Sequence, residues 1–188
     1  FSYFTKKNIK SSKENILQSI FSGVLFHGFY LGGVFYSISI GMPTGITALI
    51  VTLQPVLTNI LAGPLLKEKV NTSQWIGMIL GFAGAALVLG FDIGDSLPIL
   101  GVIAAFISLF AITFSTLWQK KAGNNLPLSS SNMYQATGGF LFHLLIITLF
   151  TSPKIIFSTT FIIAMSHQIL LVSFGAFTIL MYLIKNNS

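Results

Sequence analysis

The sequence predicts an all-α integral membrane protein, a multi-pass helical bundle of about six transmembrane helices. Three observations predict it. Charged residues make up 7% of the chain and hydrophobic ones 53%. A soluble domain carries roughly 25% charged residues, so this chain cannot clothe a water-facing surface. The apolar residues fall into six long runs, most of them near the roughly 20 residues that cross a bilayer as a helix. None alternates apolar and polar residues as a membrane barrel strand does.

The first run, Ile16–Ile40, is too long for a signal peptide, and no small-residue cleavage site follows it. The second, Pro43–Leu66, starts in the turn sequence GMPTG and ends at Lys67, Glu68 and Lys69. The third, Gln74–Phe91, is short and follows KEKVNTS. The fourth, Leu97–Leu117, follows FDIGDSLP, and the fifth, Asn132–Phe150, follows KKAGNNLPLSSS. The sixth, Phe161–Ile184, follows TSPK and is interrupted by Ser166, His167 and Gln168.

The lysines orient these spans. All 10 basic residues are lysines, and cytoplasmic loops carry the excess of positive charge. With the N-terminus inside, Lys6, Lys7, Lys10, Lys13, Lys67, Lys69, Lys120, Lys121 and Lys185 are all cytoplasmic, and Lys154 alone is outside. The basic residues are therefore topology signals, and no nucleic-acid partner is expected. Cysteine is absent, so a single cysteine at Asn71, Asp95 or Asn124 reports its own position cleanly. An impermeant thiol reagent applied to intact cells is expected to label position 95 and spare 71 and 124. Strong labelling at 71 overturns the orientation.

Polar residues inside the spans are the candidate solute contacts. Pro55 has no amide hydrogen, so the Val51 carbonyl loses its helical partner, and a freed carbonyl at membrane depth needs a polar neighbour. Thr47, Gln54 and Thr58 follow helical spacing on one face of that run, with Asn59 beside them. In the first run His27, Tyr30 and Ser37 share a face, next to Gly28, Gly32 and Gly33. In the fourth, Ser108, Ser115 and Gln119 form a stripe with Thr113 adjacent. His143, Gln135 and Ser173 are weaker candidates. Each stripe serves equally well as a solute wall or as hydrogen-bonding glue between helices. In the third run Gly77, Gly81 and Ala85 recur every four residues, a smooth face for packing against another helix.

The spacing around the second and third runs carries a resemblance. Glu68 stands thirteen residues after Pro55, Gly77 nine after Glu68, and Gly84 seven after Gly77. This ordered set, across Gly45–Gly90, resembles the EamA-type repeat of the drug/metabolite transporter superfamily. The resemblance implies ten helices in two halves of inverted topology around a central solute cavity. Residues 1–95 resemble the back of the first repeat (family helices three to five), and 96–188 the front of the second (family helices six to eight). The implied function is alternating-access transport of small metabolites or drugs, in either direction, in a bacterial inner membrane. The implied structural motif is Pro55, Glu68, Gly77, Gly81 and Gly84, with Glu68 pairing a neighbouring lysine. No cofactor and no metal is implied. The start at Phe1 and the end just after Lys185 are read as signs of a partial chain, whose partners are the missing helices or a second copy. An inactive or partner-dependent fragment is the alternative. An intramembrane enzyme fits less well: there is no phosphate loop and no HExxH motif, and the four acidic residues lie outside the spans.

Overall fold

A computed structural model of the chain describes residues 12–67, 71–89, 97–122, 128–150 and 156–171. Glu68 and the expected division between residues 95 and 96 lie outside the described residues, as do the ends of the third and sixth expected spans. Every regular element among the described residues is helical: α1 (Lys13–Gly23), a π-helical segment (Val24–Leu31), α2 (Gly32–Ser39), α3 (Thr44–Val51), α4 (Gln54–Leu66), α5 (Thr72–Leu89), α6 (Ile99–Ala122), α7 (Leu128–Phe150) and α8 (Thr159–His167).

The chain divides into two compact units, residues 1–146 and 147–188. In the first unit α6 is the central helix: α1, the π-helical segment, α2, α3 and α4 all pack on it, while α5 packs on α3 and α4. In the second unit Ser158 caps α8 by accepting the Phe161 amide at 3.1 Å, and Phe157 meets Phe161 edge-on with centroids 5.9 Å apart.

Among the described residues four helical segments are long and apolar enough to cross a membrane: Lys13–Ser39, Thr44–Leu66, Ile99–Lys121 and Ser130–Phe150. Thr72–Leu87 and Thr159–Leu171 are apolar but shorter. The six expected runs are thus all helical where described, and the two shorter helices coincide with the short and the interrupted runs. At 1.5 Å per residue α5 reaches roughly 27 Å, just under the roughly 30 Å hydrocarbon core.

The first unit is built inside out relative to a soluble domain. Among the described residues its largest fully buried side chains are threonines and serines: Thr47, Thr113, Ser19, Ser22, Ser37, Ser108, Ser115 and Ser130. Large apolar side chains such as Phe35, Leu80 and Leu87 point outward. Lipid is as apolar as leucine, so membrane helices gain little by hiding aliphatic groups from it. Small residues that allow close approach and hydroxyls that bond across helices decide the packing.

Glycines let α7 approach the first span. A methyl group on Gly138 would overlap the Ile20 carbonyl, and one on Gly23 the Gln135 backbone. Gly139 accommodates the Cβ of His27, and Gly28 the ring of Phe142. A polar seam runs beside this contact. Ser22 and Ser115 share a hydrogen bond at 2.8 Å, Gln119 donates to Ser115 at 3.3 Å, and Gln135 donates to Ser131 at 3.1 Å and to Gln119 at 3.4 Å.

The second span is broken at Thr52–Leu53. The Thr52 amide still donates to the Ala48 carbonyl at 2.9 Å, but the Leu53 amide turns to Ile50 at 3.1 Å, and α4 restarts with Pro55 in its first turn. A proline is tolerated there because the first amides of a helix have no intrahelical partner. The expected bend is thus taken up by a two-residue interruption ahead of the proline. Gly41 has φ +95°, a left-handed conformation that glycine adopts freely, in the turn between α2 and α3. Lys67 ends α4 with φ 57°, its amide donating to Gly63 at 3.0 Å. A reciprocal cap starts α5: the Gln74 amide donates to Asn71 Oδ1 at 2.8 Å and the Asn71 amide to Gln74 Oε1 at 2.9 Å.

The packing face expected on α5 has no neighbour at its glycines among the described residues. Apart from the helix's own backbone, none of their heavy atoms stands within 4 Å of a methyl built on Gly77, Gly81 or Gly84. Gly81→Ala is therefore expected to leave the melting temperature of the purified chain unchanged or to raise it, since alanine is favoured over glycine in a helix interior by about 0.5–1 kcal/mol. A clear drop would show that this face is already occupied.

Candidate functional site

A cavity of about 560 Å³ opens among the first span, α6 and α7. Phe29, Gly32, Gly33 and Tyr36 form one wall, Leu100, Ile103, Ala104 and Ile107 the second, and Phe142, His143 and Ile146 the third. Its volume falls within the roughly 300–1,000 Å³ of small-molecule sites, which combine an apolar lining with a few placed polar groups. Here the polar side chains are Tyr36 and His143.

Local structure places each wall. The π-helical segment closes wider turns than an α-helix, a feature that often marks functional positions. Where it ends, the Gly32 amide serves the carbonyls of Gly28 and Phe29. The His27 carbonyl is met by His143 Nε2 at 2.9 Å. A carbonyl only accepts, so the proton of this bond lies on Nε2, and in the neutral ring Nδ1 is an acceptor. Phe142 packs on Phe29 with centroids 4.8 Å apart and on His143 at 5.6 Å. The side chain at Gly32 is missing where His143 comes close: a methyl there would stand 3.2 Å from His143 Cε1. Ser108 occupies the space a side chain at Gly33 would need, and its hydroxyl is turned back to the Ala104 carbonyl at 2.9 Å.

None of the seven solute contacts expected from sequence lines this cavity. Gln54 Nε2 donates to Thr116 Oγ1 at 3.2 Å, joining α4 to α6. Asn59 Nδ2 donates to the Pro55 carbonyl at 3.0 Å and also meets Met78 Sδ on α5. Thr58 Oγ1 is shielded from solvent and has no partner among the described residues. Thr113 is fully buried and bonds the Leu109 carbonyl at 2.7 Å. Ser115, also fully buried, lies in the polar seam and donates to the Ser22 carbonyl at 3.1 Å. Tyr30 stacks edge-on with Phe26 at 5.4 Å. The His27 ring lies 5.0 Å from that of Phe26, while its backbone supports His143. The face that regular helical spacing assigns to His27, Tyr30 and Ser37 is divided: Ser37 turns to the Gly101 carbonyl at 2.8 Å, and the His27 Cβ abuts Gly139. The wider turns between them shift the phase.

His143 was legible only as a minor candidate, and Phe29 and Phe142 carried no signal of their own. The clue available was the pairing of glycine clusters, Gly28, Gly32 and Gly33 in one run and Gly138 and Gly139 in another.

The helices and their inverted burial define an all-α, multi-pass membrane protein, and sequence comparison shows which proteins it resembles. Residues 1–90 match the EamA-like transporter family. An uncharacterized transporter of Bacillus subtilis (strain 168), YvbV, is 26% identical over 172 residues, which is 86% of this chain and 55% of that protein. The chain thus spans about half the length of this curated relative. No solved structure matches it. The family match and the relative agree with the spacing from Pro55 to Gly84, so the chain is similar to EamA-type transporters.

Proposed function

We propose that the chain takes part in moving small metabolites or drugs across a bacterial inner membrane by alternating access, with the solute held in the cavity walled by Phe29, Tyr36, Phe142 and His143. The observation that carries this reading is the cavity itself, a space of about 560 Å³ with an aromatic lining and a histidine whose donor is already engaged by the backbone. Such a lining suits a solute with an apolar body and one hydrogen-bonding group.

Residues 1–95 and 96–188 are assigned to two inverted repeats that rock about this site, a division supported by the family match ending at residue 90. The helices of the remaining repeat segments, or a second copy, complete the walls. Gln54, Thr58 and Asn59 form a second polar face on α4, supported by the unpartnered Thr58 hydroxyl. Tyr30, His27, Thr113 and Ser115 act through helix packing around the solute.

The test is uptake and efflux of a labelled metabolite panel in cells that express the full-length protein, followed by Ile107→Trp. Ile107 lines the cavity and is half exposed, so the indole fills space without entering the core. Transport of the best solute is expected to fall by about tenfold, the scale of one well-placed steric conflict of 1–3 kcal/mol, with membrane level unchanged. Undiminished transport would move the solute to the Gln54–Thr58 face.

A further inference from the structure

A second cavity, of about 400 Å³, opens between α1, α4 and α6 at the lysine-rich end of the first unit. Phe21, Leu25, Leu66 and Phe114 line it, and Trp118 and Lys121 close its end. Phe21 meets Trp118 edge-on with centroids 5.1 Å apart. From Phe114 to Lys121 the groove follows α6 for roughly 10 Å, less than half of the roughly 30 Å hydrocarbon core. It therefore stays within one leaflet, apolar along its length and cationic at its mouth.

A tryptophan beside a lysine at the end of a span is the usual marker of the headgroup level. The described segments that end at this face hold Lys13, Lys67, Lys120 and Lys121 against Glu14, a net positive rim that favours an anionic headgroup. A helix is about 10–12 Å across with its side chains, too thick for a groove of this volume and length. A single acyl chain is thin enough.

We propose that this groove is a phospholipid site: one acyl chain of an anionic glycerophospholipid lies along Leu25, Leu66 and Phe114, and its phosphate rests on the Lys121 ammonium. The site is separate from the cavity assigned to the solute and makes the packing of α4 against α6 dependent on the surrounding lipid.

The test uses the full chain purified in detergent, delipidated, and incubated with phosphatidylglycerol or phosphatidylcholine bearing the same acyl chains. Retained adducts are counted by native mass spectrometry. Phosphatidylglycerol is expected to be retained about fivefold better, the weight of roughly one lysine near a membrane surface. Lys121→Gln should bring the two lipids level, and Leu66→Trp, which fills the groove, should lower both. Equal retention by the wild type, or a phosphatidylglycerol preference that survives Lys121→Gln, overturns the proposal. So does efficient disulfide formation between two copies of Phe114→Cys in membranes, which would seat a second copy in the groove. If the Leu66 variant does not insert, the Lys121 comparison decides alone.

Discussion

Gly138→Ala is expected to remove most of the folded protein, although it adds only one methyl group. That methyl would fall on the backbone carbonyl of Ile20. A flexible side chain could swing away, but here both sides of the contact are helical backbone, so α7 and α1 must separate. Separation stretches the bond between these two helices in which the Ser19 and Ser131 hydroxyls meet at 3.4 Å. Overpacking costs about 1–3 kcal/mol where side chains can adjust, and a clash between backbones belongs at or above the upper end. The monodisperse fraction after detergent extraction, and the melting temperature of what remains, are the readouts. A Gly138→Ala protein that melts with the wild type would show that the helices are not held this closely.

The second large effect is expected at His143. Replacing it with phenylalanine keeps a ring of similar size in the aromatic wall but removes the donor to the His27 carbonyl, now 2.9 Å away. Losing one hydrogen bond costs about 0.5–1.5 kcal/mol net, and within the bilayer no water replaces the lost partner. The wider turns of Val24–Leu31 then lose a support from outside their own helix. Transport by the full-length protein is expected to fall by about two- to tenfold, on that same 0.5–1.5 kcal/mol scale, with a smaller loss of melting temperature. His143→Gln, which restores an N–H donor, should recover part of the rate. Equal transport by His143→Phe and wild type would remove this histidine from the solute path.

The helices were legible because their signals are local. Each apolar run is bounded by residues that end helices, and Pro55 announced a break in the second span that the chain makes at Thr52–Leu53. The Asn71–Gln74 cap has the spacing of a capping box, with asparagine and glutamine in place of serine and glutamate, and so was also within reach. The cavity was not. Its walls come from Gly28–Tyr36, Leu100–Ile107 and Phe142–Ile146, and nothing local brings three such distant segments together. Periodicity puts Ser115 on a polar stripe with Thr113 adjacent but cannot say whether a stripe faces a cavity or a neighbouring helix, and both residues are enclosed. VLFHGFYL reads as ordinary apolar helix, so the change of phase that separates His27 from Ser37 left no trace in the spacing.

The interruption at Thr52–Leu53 makes the second span a lever with its pivot off centre. The arm on one side, α3, is 8 residues long, and that on the other, α4, is 13, or roughly 12 and 20 Å at 1.5 Å per residue. Gln54, which ties this span to α6, is the first residue beyond the pivot, where a swing displaces it least. A tilt of about 10° would leave that bond nearly in place yet sweep the Leu66 end through roughly 3 Å along its 20 Å arm. The same rotation moves the Thr44 end by little more than half as much. The span can thus convey a large excursion to one membrane face and a small one to the other without breaking a further backbone hydrogen bond.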